Sequence, residues 1–263
     1  MYGRNYSMKN LGFGPPVTPP VIKKLILLNA GVFVAQMILG GGGQLELGVV
    51  EQFGAVWPYR VWQHGWIWQP FTYMFLHAPG FFGHILMNMF ALWMFGSPLA
   101  MAWGAKRFLR YYLVCGFGAG ILIATYPYLL NLVGIPQNLS VPTLGASGAV
   151  YGVLLGYSLT WPDRTIMLIF PPVAFRAIWL IPVLFFLTYA FGSGNVSHVG
   201  HLGGVLVGWL WLRRQGRTAH VLPSLSQLRY RWSRWRMRRR LQSIRREESR
   251  PLHTPWDDDH TLH

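Results

Sequence analysis

The chain has little charge and very little acid: of its 263 residues only 12% are charged, and Asp and Glu together number 8 against 23 Lys and Arg. From Tyr111 to Pro162 there is no Lys, Arg, Asp or Glu at all. A stretch of that length does not suit a water-facing surface, and with 52% apolar residues the chain reads as an all-α polytopic membrane protein. A proton-coupled transporter would be expected to carry intramembrane carboxylates. Here Glu46, Glu51, Asp163, Glu247, Glu248 and the run Asp257-Asp258-Asp259 all fall in expected loops or tail. The single cysteine, Cys115, excludes an internal disulfide framework and makes a cysteine-based metal site a poor reading. Residues 1–20 are polar and Gly/Pro-rich without the apolar core of a cleavable signal peptide, so the first span is expected to act as its own insertion signal.

What is present is a series of apolar runs near the roughly 17–25 residues a bilayer demands, at 21–39, 82–103, 108–130, 143–161, 166–192 and 195–212. The fifth is interrupted by Pro171, Pro172 and Arg176, which leaves 177–192 as its continuous apolar part. Six spans put both termini on one side. With that side cytoplasmic, Arg4, Lys9, Lys23, Lys24, Lys106, Arg107, Arg110, Arg164 and the tail from Arg213 lie inside, and only Arg60 lies outside. Three parts are expected: a flexible cytoplasmic N-terminal tail over 1–20, a six-helix domain over 21–212 and a basic cytoplasmic C-terminal tail over 213–263. The net charge of +15 is then mainly an orientation and lipid signal, and nucleic acid is not an expected partner. In the tail, Leu225, Leu228, Trp232 and Trp235 recur at helical spacing among arginines, as in a basic amphipathic helix on anionic lipid. Residues 44–80, rich in aromatics such as Trp57, Tyr59, Trp66 and Trp68, read as an external loop half sunk in the outer leaflet, a structural collar.

Three polar clusters interrupt the apolar helices. Ser147 lies in Gly145-Ala146-Ser147-Gly148 and shares a helix face with Tyr151, four residues on, while the glycines let another helix approach. A packing seam of small residues is the plain alternative. His84 and Asn88 share a face near the outer end of the second span, where unpaired polar groups are costly. His201, Gly204 and Gly208 fall at i, i+3 and i+7 on the sixth, whereas His198 has no glycine at +3 or +7. The second, fourth and sixth spans run the same way, so these residues agree in depth to within about one helical turn. A serine hydroxyl needs an adjacent base, which His201 can supply, and a carbonyl under attack needs donors, which His84, Asn88 and the Ser147 N–H can supply. With no carboxylate at that level the site must be a Ser–His dyad, Tyr151 orienting the imidazole by stacking. A metalloprotease is disfavoured because His198-x-x-His201 lacks the Glu of His-Glu-x-x-His and no third ligand is evident, so no metal is expected.

In these three motifs, taken in order over about residues 20–212, the chain resembles the rhomboid family of intramembrane serine proteases. The family's Gly-x-Ser-Gly stands as Gly145 to Gly148, its His-x-x-x-Asn as His84 to Asn88, and its His-x-x-Gly-x-x-x-Gly as His201, Gly204 and Gly208. The resemblance implies a six-helix core with a water-accessible cavity opening outward. It also implies cleavage of transmembrane protein substrates near the outer face without a cofactor, in a multi-pass protein expected in a bacterial inner (plasma) membrane. Tyr151 matches the family's tyrosine that packs on the catalytic histidine. Three departures touch the scaffold: Gln69 follows Trp68 where arginine is usual, Ala100 replaces a common glutamate, and His77 to His84 is two residues longer than usual. The alternative function is a catalytically silent rhomboid-like protein that binds membrane clients. Such a protein would typically lose Ser or His, and both are present here.

Overall fold

The computed structural model describes residues 14–40, 47–168, 172–191 and 197–215, together with Arg234, Arg236 and Met237. The chain divides into two compact units, Met1–Thr218 and Ala219–His263. In the second unit the three described residues are helical, and the expected amphipathic pattern around them lies otherwise outside the described residues.

In the first unit, α1 (Pro20–Leu39) opens with proline at its first position, where a missing N–H costs nothing. Three short helices follow, α2 (Val49–Gly54), α3 (Pro58–Gln63) and α4 (Gln69–Thr72), the last running into a 3₁₀ turn at Tyr73–Phe75. The expected collar is therefore an ordered, mostly helical layer. α5 (Phe82–Ala91) passes through a wide π turn at Leu92–Gly96 into α6 (Ser97–Trp103). Pro98 explains the wide turn, because it has no N–H for the carbonyl four residues back and its ring would strike it. α7 (Ala105–Leu132), α8 (Ser147–Thr160), a hairpin of β1 (Thr165–Met167) and β2 (Ala174–Arg176), α9 (Leu180–Phe191) and α10 (His198–Arg214) complete the unit. The strands are antiparallel with Ile166 opposite Phe175, and an Arg176–Asp163 ion pair closes the base of the hairpin. Ser197 caps α10 by accepting the Gly200 N–H at 3.2 Å, and Arg213 and Arg214 in its last turn suit the negative end of the helix dipole.

Among the described residues three helical stretches are long and apolar enough to cross a membrane: Pro20–Leu39, Phe82–Trp103 and Ala105–Leu132. The other three expected spans are shorter helices at the expected places, of 14, 12 and 17 residues. Two expectations need correction. The fourth helix begins at Ser147, not Thr143, because the residues before it are extended and Thr143 exchanges both backbone hydrogen bonds with Val56, each 2.9 Å. In the first part of the fifth run the described residues form the strands β1 and β2 instead of a helix, and Pro172 just before β2 suits an extended chain.

α8 is the centre of the unit. Most of its residues are buried, including Gly148, Tyr151, Val153 and Leu154, and it packs on α7, α10 and the π turn. A helix apolar all round and enclosed by others needs no lipid contact, so it need not be bilayer length. By contrast Leu27, Met37, Phe82, Met87, Phe186 and Tyr189 are exposed large apolar side chains on α1, α5 and α9. Those faces suit hydrocarbon rather than water.

Candidate active site

Ser147 is the first residue of α8 and is only half-buried. The first N–H groups of a helix have no intrahelical partner, so this end presents donors as well as a hydroxyl. Two features hold the segment in place. Gly145 donates its N–H to the Tyr73 carbonyl at 3.0 Å. Gly145 also has φ +131°, a conformation L side chains rarely adopt, and a Cβ there would stand 2.9 Å from His84 Cε1 and Nε2 and 3.8 Å from Ser147 Oγ. The His84 ring edge and the Ser147 hydroxyl thus flank one point, kept open by the missing side chain.

His84 is the third residue of α5. Its Nδ1 accepts the Ala78 N–H at 3.2 Å. A ring nitrogen that accepts carries no proton, so in the neutral imidazole the proton sits on Nε2, the atom turned toward Gly145. Asn88, buried one turn further on, donates one amide hydrogen to the His84 carbonyl at 2.9 Å. That bond ties the pair together and leaves the amide its second hydrogen.

His201 is the fourth residue of α10 and only 5% exposed. Its ring lies parallel to Tyr151, with centroids 4.1 Å apart and planes at 13°, and edge-on to Phe185 at 6.3 Å. Tyr151 stands one turn along the face that begins with Ser147, so the stacked imidazole lies over the serine's face of α8. Its Nδ1 is buried with no hydrogen-bond partner among the described residues. The Tyr151 hydroxyl meets Thr188 Oγ1 of α9 at 3.3 Å, which fixes the stacking ring from its far side. His198, by contrast, is exposed, its ring 6.5 Å from that of His201.

The approach of α10 to α8 depends on Gly204, whose notional Cβ would lie 1.8 Å from the Gly148 carbonyl oxygen. A side chain there would push the helices apart. Gly148 is hemmed by Ala119 and the Tyr73 hydroxyl, while Gly208 faces the Tyr111 hydroxyl of α7 rather than α8. Among the described residues no group of three or more His, Cys, Asp or Glu is placed to hold a metal.

Several supporting residues lie outside the three motifs. Tyr73 holds Gly145 through its carbonyl and α7 through its hydroxyl, which donates to the Gly116 carbonyl at 2.8 Å. Gln69, the residue found in place of arginine, is fully buried; its Oε1 accepts the Trp57 N–H at 3.0 Å and its Nε2 donates to the Phe53 carbonyl at 3.3 Å. The loop is thus pinned by a neutral amide. His77, in the segment before α5, packs edge-on to His84 at 5.1 Å. Burial, with His84 beside it, pushes its imidazole down to about 3, so the ring stays neutral.

The family model described as the Rhomboid domain matches residues 64–216. The chain is 35% identical over 137 residues to the mitochondrial rhomboid protein 1 of Saccharomyces cerevisiae, covering 49% of this chain and 37% of that protein. It is 29% identical over 209 residues to the mitochondrial RHOMBOID-like protein 12 of Arabidopsis thaliana, covering 75% and 59%. To the rhomboid protease GluP of Bacillus subtilis it is 28% identical over 175 residues, covering 64% and 30%. The chain therefore spans less than two thirds of the length of each of these relatives. Ser147, His84 and His201 all fall inside the matched interval, and with more than half of the sequence matched on a fold of apolar helices, the chain belongs to the rhomboid family.

Proposed function

We propose that the protein is an intramembrane serine endopeptidase that cleaves transmembrane segments of membrane proteins near the outer face, using Ser147 and His201 as a dyad. The observation that carries this reading is the stacking of His201 on Tyr151, on the α8 face that begins with Ser147, together with the His84 Nε2 edge beside Gly145. Ser147 Oγ attacks the scissile carbonyl carbon while the His201 imidazole takes its proton. The carbonyl π pair moves to oxygen, and the oxyanion is received by the His84 Nε2–H, the Asn88 amide and the Ser147 N–H. Collapse breaks the C–N bond, and His201 returns the proton to the leaving amine. Water, deprotonated by His201, then attacks the acyl carbon, and collapse breaks the acyl–Oγ bond as His201 returns that proton to Ser147 Oγ. No carboxylate is needed to orient the base, because Tyr151 fixes the plane of the ring. Neither metal nor cofactor takes part.

The half-exposed serine at a helix start, beside donors and at one end of the unit, suits a substrate segment unwound at the membrane edge. The positive residues Lys23, Lys24, Lys106, Arg107, Arg110, Arg213 and Arg214 cluster at the opposite helix ends, which supports termini on the cytoplasmic side. Arg107 at the start of α7 donates to Gln215 just past α10, placing those two ends at one level. We assign the membrane as a bacterial inner membrane; two relatives bear mitochondrial names, so fractionation of the native source is the check. The catalytic reading is tested with purified protein and a model transmembrane substrate. Cleavage is expected for the wild type and absent for Ser147→Ala. Client binding without cleavage by the wild type would instead favour a silent rhomboid-like binder.

A further inference from the structure

In the segment leading into α5, one side chain from α1 holds both backbone hydrogen-bonding groups of a single residue. Gln36 Oε1 accepts the His77 N–H at 2.9 Å, and Gln36 Nε2 donates to the His77 carbonyl at 2.9 Å. The same Nε2 donates to Glu51 Oε1 of α2 at 2.7 Å. Gln36, Glu51 and His77 are all fully buried. The residue after this clamp, Ala78, sends its N–H to His84 Nδ1 at 3.2 Å. A buried carboxamide and carboxylate are expensive to desolvate, and neither helix that supplies them contributes to the dyad or the oxyanion donors. Anchoring the loop alone would need no such pair, since Gln69, Tyr73 and the Val56–Thr143 bridge already do so.

We propose that Gln36, backed by Glu51, is a positioning residue for His84: by fixing residue 77 it aims the Ala78 N–H at His84 Nδ1 and so keeps the imidazole proton on Nε2, facing Ser147. This rests on the reading of His84 as an oxyanion donor. Without the clamp, the 77–78 peptide can turn, Nδ1 loses its donor, and the competing tautomer presents a lone pair where the oxyanion would form. Each variant then keeps Ser147, His201 and the His84 ring but loses part of the donor's alignment.

The experiment is nitrogen-15 NMR of histidine-labelled full-length protein in detergent micelles, with the His84 signals identified by their loss in His84→Gln. In the wild type His84 is expected to carry its proton on Nε2 and to keep an unprotonated Nδ1. Gln36→Leu should shift it toward a tautomer mixture and lower kcat about tenfold, less than the roughly 10²–10³ an entire oxyanion donor supplies, with KM within about twofold. Because Gln36→Leu strands the Glu51 carboxylate, the double variant Gln36→Leu with Glu51→Leu is run alongside; it removes both polar groups and should show the same His84 change. An unaltered His84 tautomer in the folded double variant overturns the inference. Fluorophosphonate labelling of the wild type is scored separately: its absence would count against the protease reading, while the His84 spectrum still decides the positioning role.

Discussion

At the scale of single residues, the dyad makes different demands on neighbours that look alike. Ser147→Ala should lower cleavage at least about 10³-fold with expression and folding unchanged, because it removes the hydroxyl that begins the α8 face on which His201 is stacked and leaves the base no nucleophile to activate. His201→Ala should be inactive, whereas His198→Ala should keep substantial activity: one ring is buried against Tyr151 and the other is exposed. Equal loss in both would mean the base is wrongly assigned. His84→Ala should cost about 10² to 10³ in kcat. Asn88→Ala should cost less, since one of its amide hydrogens already serves the His84 carbonyl. His77 adds a pH effect on stability. Folded, it stays neutral down to about 3, while unfolded it titrates near 6.5, so over that window acid protonates the unfolded chain first and stability falls as pH falls. His77→Phe should flatten the fall of the unfolding midpoint between about pH 6 and pH 4 relative to the wild type; matching slopes would exclude the burial of His77 as its cause.

At the scale of elements, the glycine contact between α8 and α10 sets the distance between serine and base. Gly204→Ala places a methyl against the Gly148 backbone, which cannot rotate away, and should cost about 1–3 kcal/mol as overpacking together with most activity; thermal unfolding and cleavage of the same preparation read both. Gly208→Ala meets the Tyr111 hydroxyl and Cys115 Sγ, side-chain atoms of α7 rather than backbone, and should be milder. The glycine spacing, the apolar runs and the order of the helices were legible in the sequence because helical periodicity and hydropathy are local signals. The start of α8 was not. Thr143 and Leu144 are as apolar as the helix that follows, and what keeps them extended is the Val56 backbone, nearly ninety residues earlier. The same holds for the aromatic collar: its composition announced a membrane-edge loop, yet its pinning of Gly145 runs through the Tyr73 carbonyl, a backbone group no side-chain pattern betrays. Gln69 stands where the family usually has arginine, and how it holds the loop could not be read from that departure: the buried hydrogen bonds of a neutral amide fill the place without an ionic partner.

At the scale of the whole molecule, the first unit contains every residue assigned to the chemistry, and the basic tail contains none. Truncation after Arg217 should therefore leave the active site intact. A peptide of residues 221–250 should gain helicity and Trp fluorescence change on anionic vesicles and not on neutral ones, more weakly at high salt. Indifference to anionic vesicles would remove the lipid role of the tail. The central claim, that Ser147 is a nucleophile activated by His201, is tested most directly by a fluorophosphonate probe on the detergent-purified protein. A Ser–His dyad predicts covalent labelling of the wild type at Ser147, abolished in both Ser147→Ala and His201→Ala and retained in His198→Ala. Absence of labelling in a folded wild type, or labelling that persists in Ser147→Ala, would contradict it.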